Sequence, residues 1–154
     1  VTELQKVTAA NQYEIDLGGP TGNRVLRHIH PQPTIFPVAS VITEGETAEA
    51  GRPRSHYTAL MTVHVFLMLR RTQELDTEVN KGVADVKKAI TSAAALKGGH
   101  TTGTLAAVNW THFVRDHPNV IDDESAIEMA VQQITFETQY VTKHDDPYVG
   151  RGTG

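Results

Sequence analysis

The chain contains no cysteine. That excludes a disulfide framework, thiolate zinc sites and cysteine-held iron–sulfur clusters together. Aromatic residues are scarce, at 6%, and spread out, so no platform for stacking nucleic-acid bases is visible. A basic excess is also missing: 14 lysines and arginines face 18 acids, for a formal net charge of −4. Domains that bind nucleic acid by bulk electrostatics carry the opposite balance. No apolar run approaches the roughly 20 residues that span a bilayer as a helix. There is no nucleophile elbow, HExxH pair or EF-hand loop, and the glycines of residues 18–22 lack the lysine and following helix of a phosphate loop.

What is present is a chain of 154 residues, 39% hydrophobic and 21% charged, enough for one ordinary core. Its most informative stretch is residues 56–71. Tyr57, Ala59, Met61, Val63, Val65, Leu67 and Leu69 alternate with His56, Thr58, Leu60, Thr62, His64, Phe66 and Met68. The first set is apolar and the second mixed, the pattern of a strand with one buried face and one partly covered face. At 3.3 Å per residue it spans about 50 Å, more than a domain of this size covers, which points to pairing between copies.

The remaining elements follow from periodicity and turn chemistry. Residues 2–10 read as a short amphipathic helix with a capping box at Thr2 and Gln5, ended by Asn11. Residues 12–17 alternate and read as a strand, paired as a hairpin with residues 24–29 across a glycine-rich turn. A third strand covers 34–43, with Pro37 demoting it to an edge or bulge. Residues 44–55 are polar and read as a protruding loop. Residues 76–96 form the best helix, with Val79, Val83, Val86, Ile90, Ala93 and Ala94 on one stripe and Gly98-Gly99 as the stop; Gly82 weakens its middle by about 1 kcal/mol relative to alanine. Residues 104–114 fit a strand or a short helix, the strand being favoured, while 117–119 read as a turn and 126–142 as a last long strand. The fold class is α+β: a mostly antiparallel sheet, one long amphipathic helix packed on it and a short N-terminal helix. Residues 1–144 make the α/β domain and 145–154 a flexible tail.

Candidate chemistry is thin. His28 and His30 share one side of a proline-stiffened segment but have no third ligand, so they read as exposed polar side chains rather than a metal site. His112 and His117 follow Trp110 closely, Asp116, Asp122, Asp123, Asp145 and Asp146 supply carboxylates, and a histidine–aspartate pair for metal or acid–base catalysis is the alternative reading. The plain reading has no catalytic residue, metal or cofactor.

The order of features resembles the tail terminator proteins of tailed bacteriophages. The resemblance runs from Asn11-Gln12-Tyr13-Glu14-Ile15-Asp16-Leu17-Gly18 through Val25, Arg27 and the proline-bearing strand ending Val41-Ile42-Thr43-Glu44-Gly45-Glu46. It continues through the polar loop, the Tyr57 strand, the amphipathic helix and a final strand reaching Tyr140 and Asp146-Pro147, about residues 4–148 in all. The resemblance implies a structural virion protein of the tail or neck, assembled in the host cytoplasm. Its copies would form a ring, typically a hexamer, that caps the head-proximal end of the tail tube and ends tube polymerisation. The implied partners are the tail tube protein, a neck or connector protein, and DNA that passes through the lumen without sequence-specific binding. A head-completion or stopper ring is the alternative within this class. For such a ring protein, interface residues are expected at Glu46, Arg52 and Arg54 of the loop, His56, Thr58, His64, Arg70 and Arg71 of the long strand, and Asp146, Tyr148 and Arg151 of the tail.

Overall fold

The computed structural model describes residues 2–19, 24–27, 33–48, 56–70, 74–94, 108–116, 120–121 and 129–143. In chain order these hold helix α1 (Thr2–Gln5), a 3-10 turn (Ala9–Asn11), strands β1 (Val25–Leu26), β2 (Val38–Ala48) and β3 (His56–Arg70), helix α2 (Leu75–Ala94), and strands β4 (Val108–Asp116), β5 (Val120–Ile121) and β6 (Met129–Lys143). One sheet has the order β1-β2-β3-β6-β4, with β5 also on β6. Among the described residues only the β1–β2 pair is parallel. The expected α+β class, with its antiparallel sheet, long helix and short N-terminal helix, is what the chain forms.

The long strand forms as its alternation requires. β3 pairs with β6 without interruption from His56 opposite Lys143 to Arg70 opposite Met129. Val65, Leu67 and Leu69 turn toward α2 and are buried with Val79, Val83, Val86 and Ala89 of the helix. β-Branched and leucine side chains suit both surfaces, and fully burying each contributes about 1.5–3 kcal/mol. Asp76 and Glu78 lie in the first turn of α2, where negative charge suits the helix dipole. Gly82 has a packing reason: a Cβ there would lie 2.6 Å from Leu67 Cδ2, so the missing side chain lets helix and strand approach.

The N-terminal reading needs correction. Residues 12–17 form no strand, and there is no hairpin with the residues after 24. The backbone N–H groups of Glu14 and Ile15 instead donate to Asp85 Oδ2 of α2, at 2.7 and 2.9 Å. Lys88 Nζ donates to the Gln12 carbonyl at 3.0 Å and sits 4.6 Å from the Tyr13 ring centroid. Alternating apolar residues therefore lie along the helix, because a helix carboxylate supplies the acceptor a neighbouring strand would have supplied. The left-handed residue after the 3-10 turn is Gln12, φ 62°, rather than Asn11. Gly18 lies so close to the start of the chain that a Cβ would meet Thr8 Cγ2 at 2.4 Å.

β2 also departs from expectation. It begins only after the cis Phe36–Pro37 bond and runs on to Ala48, so the first five residues of the expected loop, Glu44 included, are strand. A bulge between Thr43 and Glu46 inserts one residue into the ladder with β3. The expected strand at 104–114 is β4, displaced to Val108–Asp116. The rest of the expected loop, the turn at 117–119 and the tail at 145–154 lie outside the described residues.

Candidate interaction surfaces

Three groups of side chains stand out, at the two ends and on the second face of the sheet. At the end where β3 begins, the bulge in β2 places Glu46 beside Tyr57 and Tyr140. The Tyr57 hydroxyl donates to Glu46 Oε1 at 3.2 Å and the Tyr140 hydroxyl to Oε2. One carboxylate thus collects two phenols from two strands. Loss of solvent around Tyr57, then its hydrogen bond to Glu46 and the negative charge there, raise its pKa above the ordinary 10.0.

The second face of the sheet holds His64. Its Nε2 lies 2.9 Å from Glu44 Oε1, and its Nδ1 lies 3.1 Å from Thr135 Oγ1 and 2.9 Å from Gln133 Nε2. With the Nε2–H donating to the Glu44 carboxylate oxygen, Nδ1 is left as the acceptor for the Thr135 hydroxyl and the Gln133 amide N–H. The order hydroxyl–imidazole–carboxylate is that of a nucleophile, base and orienting group. The surroundings do not support that use. Thr135 is 3% exposed, and it is paired with His64 on one side and Arg115 on the other, inside two ladders that use the nearby backbone N–H groups. The cluster closes part of the sheet face by hydrogen bonding.

The third group surrounds a groove of about 390 Å³ at the opposite end of the sheet. Ile15, Phe36, Pro37 and Leu69 form its apolar lining. Glu14, Asp16, Arg70, Glu78 and Lys81 supply charge around it. Arg24 Nη1 donates to the Asp16 carbonyl at 2.8 Å and lies 3.6 Å from its carboxylate, which fixes the segment that forms one wall.

The residues expected at interfaces are therefore distributed rather than gathered. Glu46 stands at one end of the sheet and Arg70, exposed, at the other. Thr58 is half-buried, and His56 opens β3 opposite Lys143. His64 differs from expectation: it is only 8% exposed, because Glu44, Gln133 and Thr135 enclose a side chain read as lying on the open side. Arg52, Arg54, Arg71, Asp146, Tyr148 and Arg151 lie outside the described residues. Tyr57, Tyr140 and Asp85 are not among the residues expected at interfaces. Asp85 had a signal: it lies three residues after Gly82 and four before Ala89, a carboxylate inside the apolar stripe. Among the described residues no group of three or more histidines, aspartates and glutamates could hold a metal ion. No helix among them is long and apolar enough to cross a membrane.

The surfaces and sheet define an α+β protein whose polar groups lie at the ends and on the open face of one sheet, without a convergent catalytic cleft among the described residues. No protein-family model matches the chain, and no curated protein matches its sequence. Among solved structures it is similar to a chain in the virion of a native gene transfer agent particle, with a TM-score of 0.53 and 12% identity. The likeness covers 78% of this chain and 80% of the other. At that identity what is shared is the fold.

Proposed function

We propose that this chain is a structural protein of a phage-like virion, acting as a tail terminator. The observation that carries the reading is the fold shared with a chain of a virion particle, which agrees with the independent resemblance in the order of sequence features. Copies form a ring, six in the simplest case, that caps the head-proximal end of the tail tube, stops its growth and joins it to a neck protein. The net charge of −4 suits a channel through which DNA slides unheld, since gripping phosphates requires cations. Residues 1–144 supply the body of each copy and 145–154 a tail that contacts neighbours. The loop and long-strand residues expected at interfaces, including Arg52, Arg54 and Arg71, meet neighbouring copies, the tube protein or the neck protein.

Light scattering across a concentration series, alone and with purified tail tubes, tests this. The expected outcome is a closed assembly near six times 16.8 kDa, formed free or on tube ends. A protein that stays monomeric and ignores tube ends would sink the reading. Binding to connector rings but not to tubes would replace the terminator with a stopper.

A further inference from the structure

The groove beside Arg70 has an apolar floor made of Ile15, Phe36, Pro37 and Leu69. Ile35, preceding Phe36 in the chain, is 49% exposed. An apolar floor beside a large exposed aliphatic side chain is where a partner's side chain gains most by leaving water. Two carboxylates of the rim are answered from within: Glu14 lies 3.5 Å from Lys81, and Asp16 3.6 Å from Arg24. Arg70 is exposed, and no carboxylate is in ion-pair reach of it among the described residues. A guanidinium at the mouth of an apolar groove selects a carboxylate adjoining an aromatic or aliphatic side chain.

Asp145-Asp146-Pro147-Tyr148-Val149 has that composition. Within one copy, however, this segment cannot reach the groove. It follows Lys143, which pairs with His56, whereas the groove lies beside Leu69 and Arg70 at the other end of the same ladder. The 14 steps of β3 between His56 and Arg70 cover about 46 Å, and the five residues from Lys143 to Tyr148 reach at most about 18 Å. A segment leaving one end of a sheet for a groove at the opposite end meets it on the next copy. Repeating that contact is head-to-tail association, which closes into a ring when the rotation allows.

We infer that the groove of one copy receives residues 145–149 of its neighbour, with Tyr148 over the apolar floor and Asp146 on Arg70. The inference rests on the ring reading and names the contact that links successive copies.

The absence of native cysteine makes the test direct. Full-length Glu14→Cys and Tyr148→Cys proteins are mixed and oxidised, with Thr47→Cys, exposed at the far end of the sheet, as the control position. The expected result is a disulfide-linked dimer from the Glu14→Cys and Tyr148→Cys mixture, and a ladder of linked copies from the double variant. Linkage no better than with Thr47→Cys, or an internally closed monomer from the double variant, overturns the assignment. A labelled peptide of residues 143–151 then reads the groove without requiring a ring. It should bind full-length Tyr148→Ala protein at least about tenfold more tightly than the same protein carrying Arg70→Glu, and Asp146→Arg in the peptide should restore binding to Arg70→Glu. Equal binding to both proteins overturns the assignment. So does a loss of binding when Asp122 and Asp123 are neutralised in place of Arg70. Rings that persist in Arg70→Glu protein overturn this contact and leave the ring standing. Peptide binding by a protein that never forms rings supports the groove and removes the ring.

Discussion

The two faces of β3 are closed by different means. On one, Val65, Leu67 and Leu69 lie against α2, and the contact is between hydrocarbon surfaces. On the other, Leu60, Thr62 and Phe66 stay half-buried, while His64 is enclosed by Glu44, Gln133 and Thr135 through hydrogen bonds. Alternation in a sequence separates two faces, but it does not say whether the mixed face is left to solvent or closed by a polar network. Hydrophobic closure tolerates small shifts, whereas a hydrogen-bonded one depends on every partner being in place.

The comparison breaks most sharply at Leu67. Leu67→Ala should cost about 3–5 kcal/mol in urea unfolding, since the side chain is fully buried and α2 already approaches it at Gly82. Asp85→Ala, also on the helix side, should cost about 2–3 kcal/mol by leaving the Glu14 and Ile15 N–H groups without their acceptor. Faster hydrogen exchange at those two amides, with α2 still protected, is the accompanying signature. On the polar face, His64→Ala should cost only about 1–2 kcal/mol, because Glu44 is exposed enough to rehydrate. A loss equal to that of Leu67→Ala would erase the distinction between the faces. Ser40→Ala should change stability in the opposite direction by about 1 kcal/mol, because the buried Ser40 hydroxyl has no hydrogen-bond partner among the described residues. The smallest effect concerns Tyr57. Its raised pKa means the fold favours the neutral phenol, so its contribution is intact below pH 10 and lost as pH rises past the folded-state value. The gap in Tm between wild type and Tyr57→Phe should therefore narrow in strongly alkaline buffer and be flat from pH 6 to 9.

The elements legible in the sequence are those whose pattern is local. β3 shows strict alternation, α2 carries its own stripe and acidic first turn, and β6 is long enough to be seen despite its polar residues. Residues 12–17 alternate as a strand does, but their acceptor, Asp85, lies about 70 residues away, beyond what a local pattern shows. The polar second half of β2 has no apolar rhythm to mark it as strand; its pairing with β3 holds it extended. The candidate surfaces were half legible. Exposure of Arg70 followed from its place at the strand end, whereas the Glu46–Tyr57–Tyr140 group needed three strands and a bulge to be known together.

That bulge has a consequence for how the chain can vary. Glu44 and Glu46 are two residues apart, a spacing that in a regular strand makes side chains neighbours on one surface. Here one extra residue lets Glu44 serve His64 on one side of the sheet and Glu46 serve Tyr57 and Tyr140 on the other. The position works as a phase switch in a two-beat pattern. Losing one residue between Thr43 and Glu46 would hardly shorten β2, yet it would exchange inside for outside along everything up to Ala48.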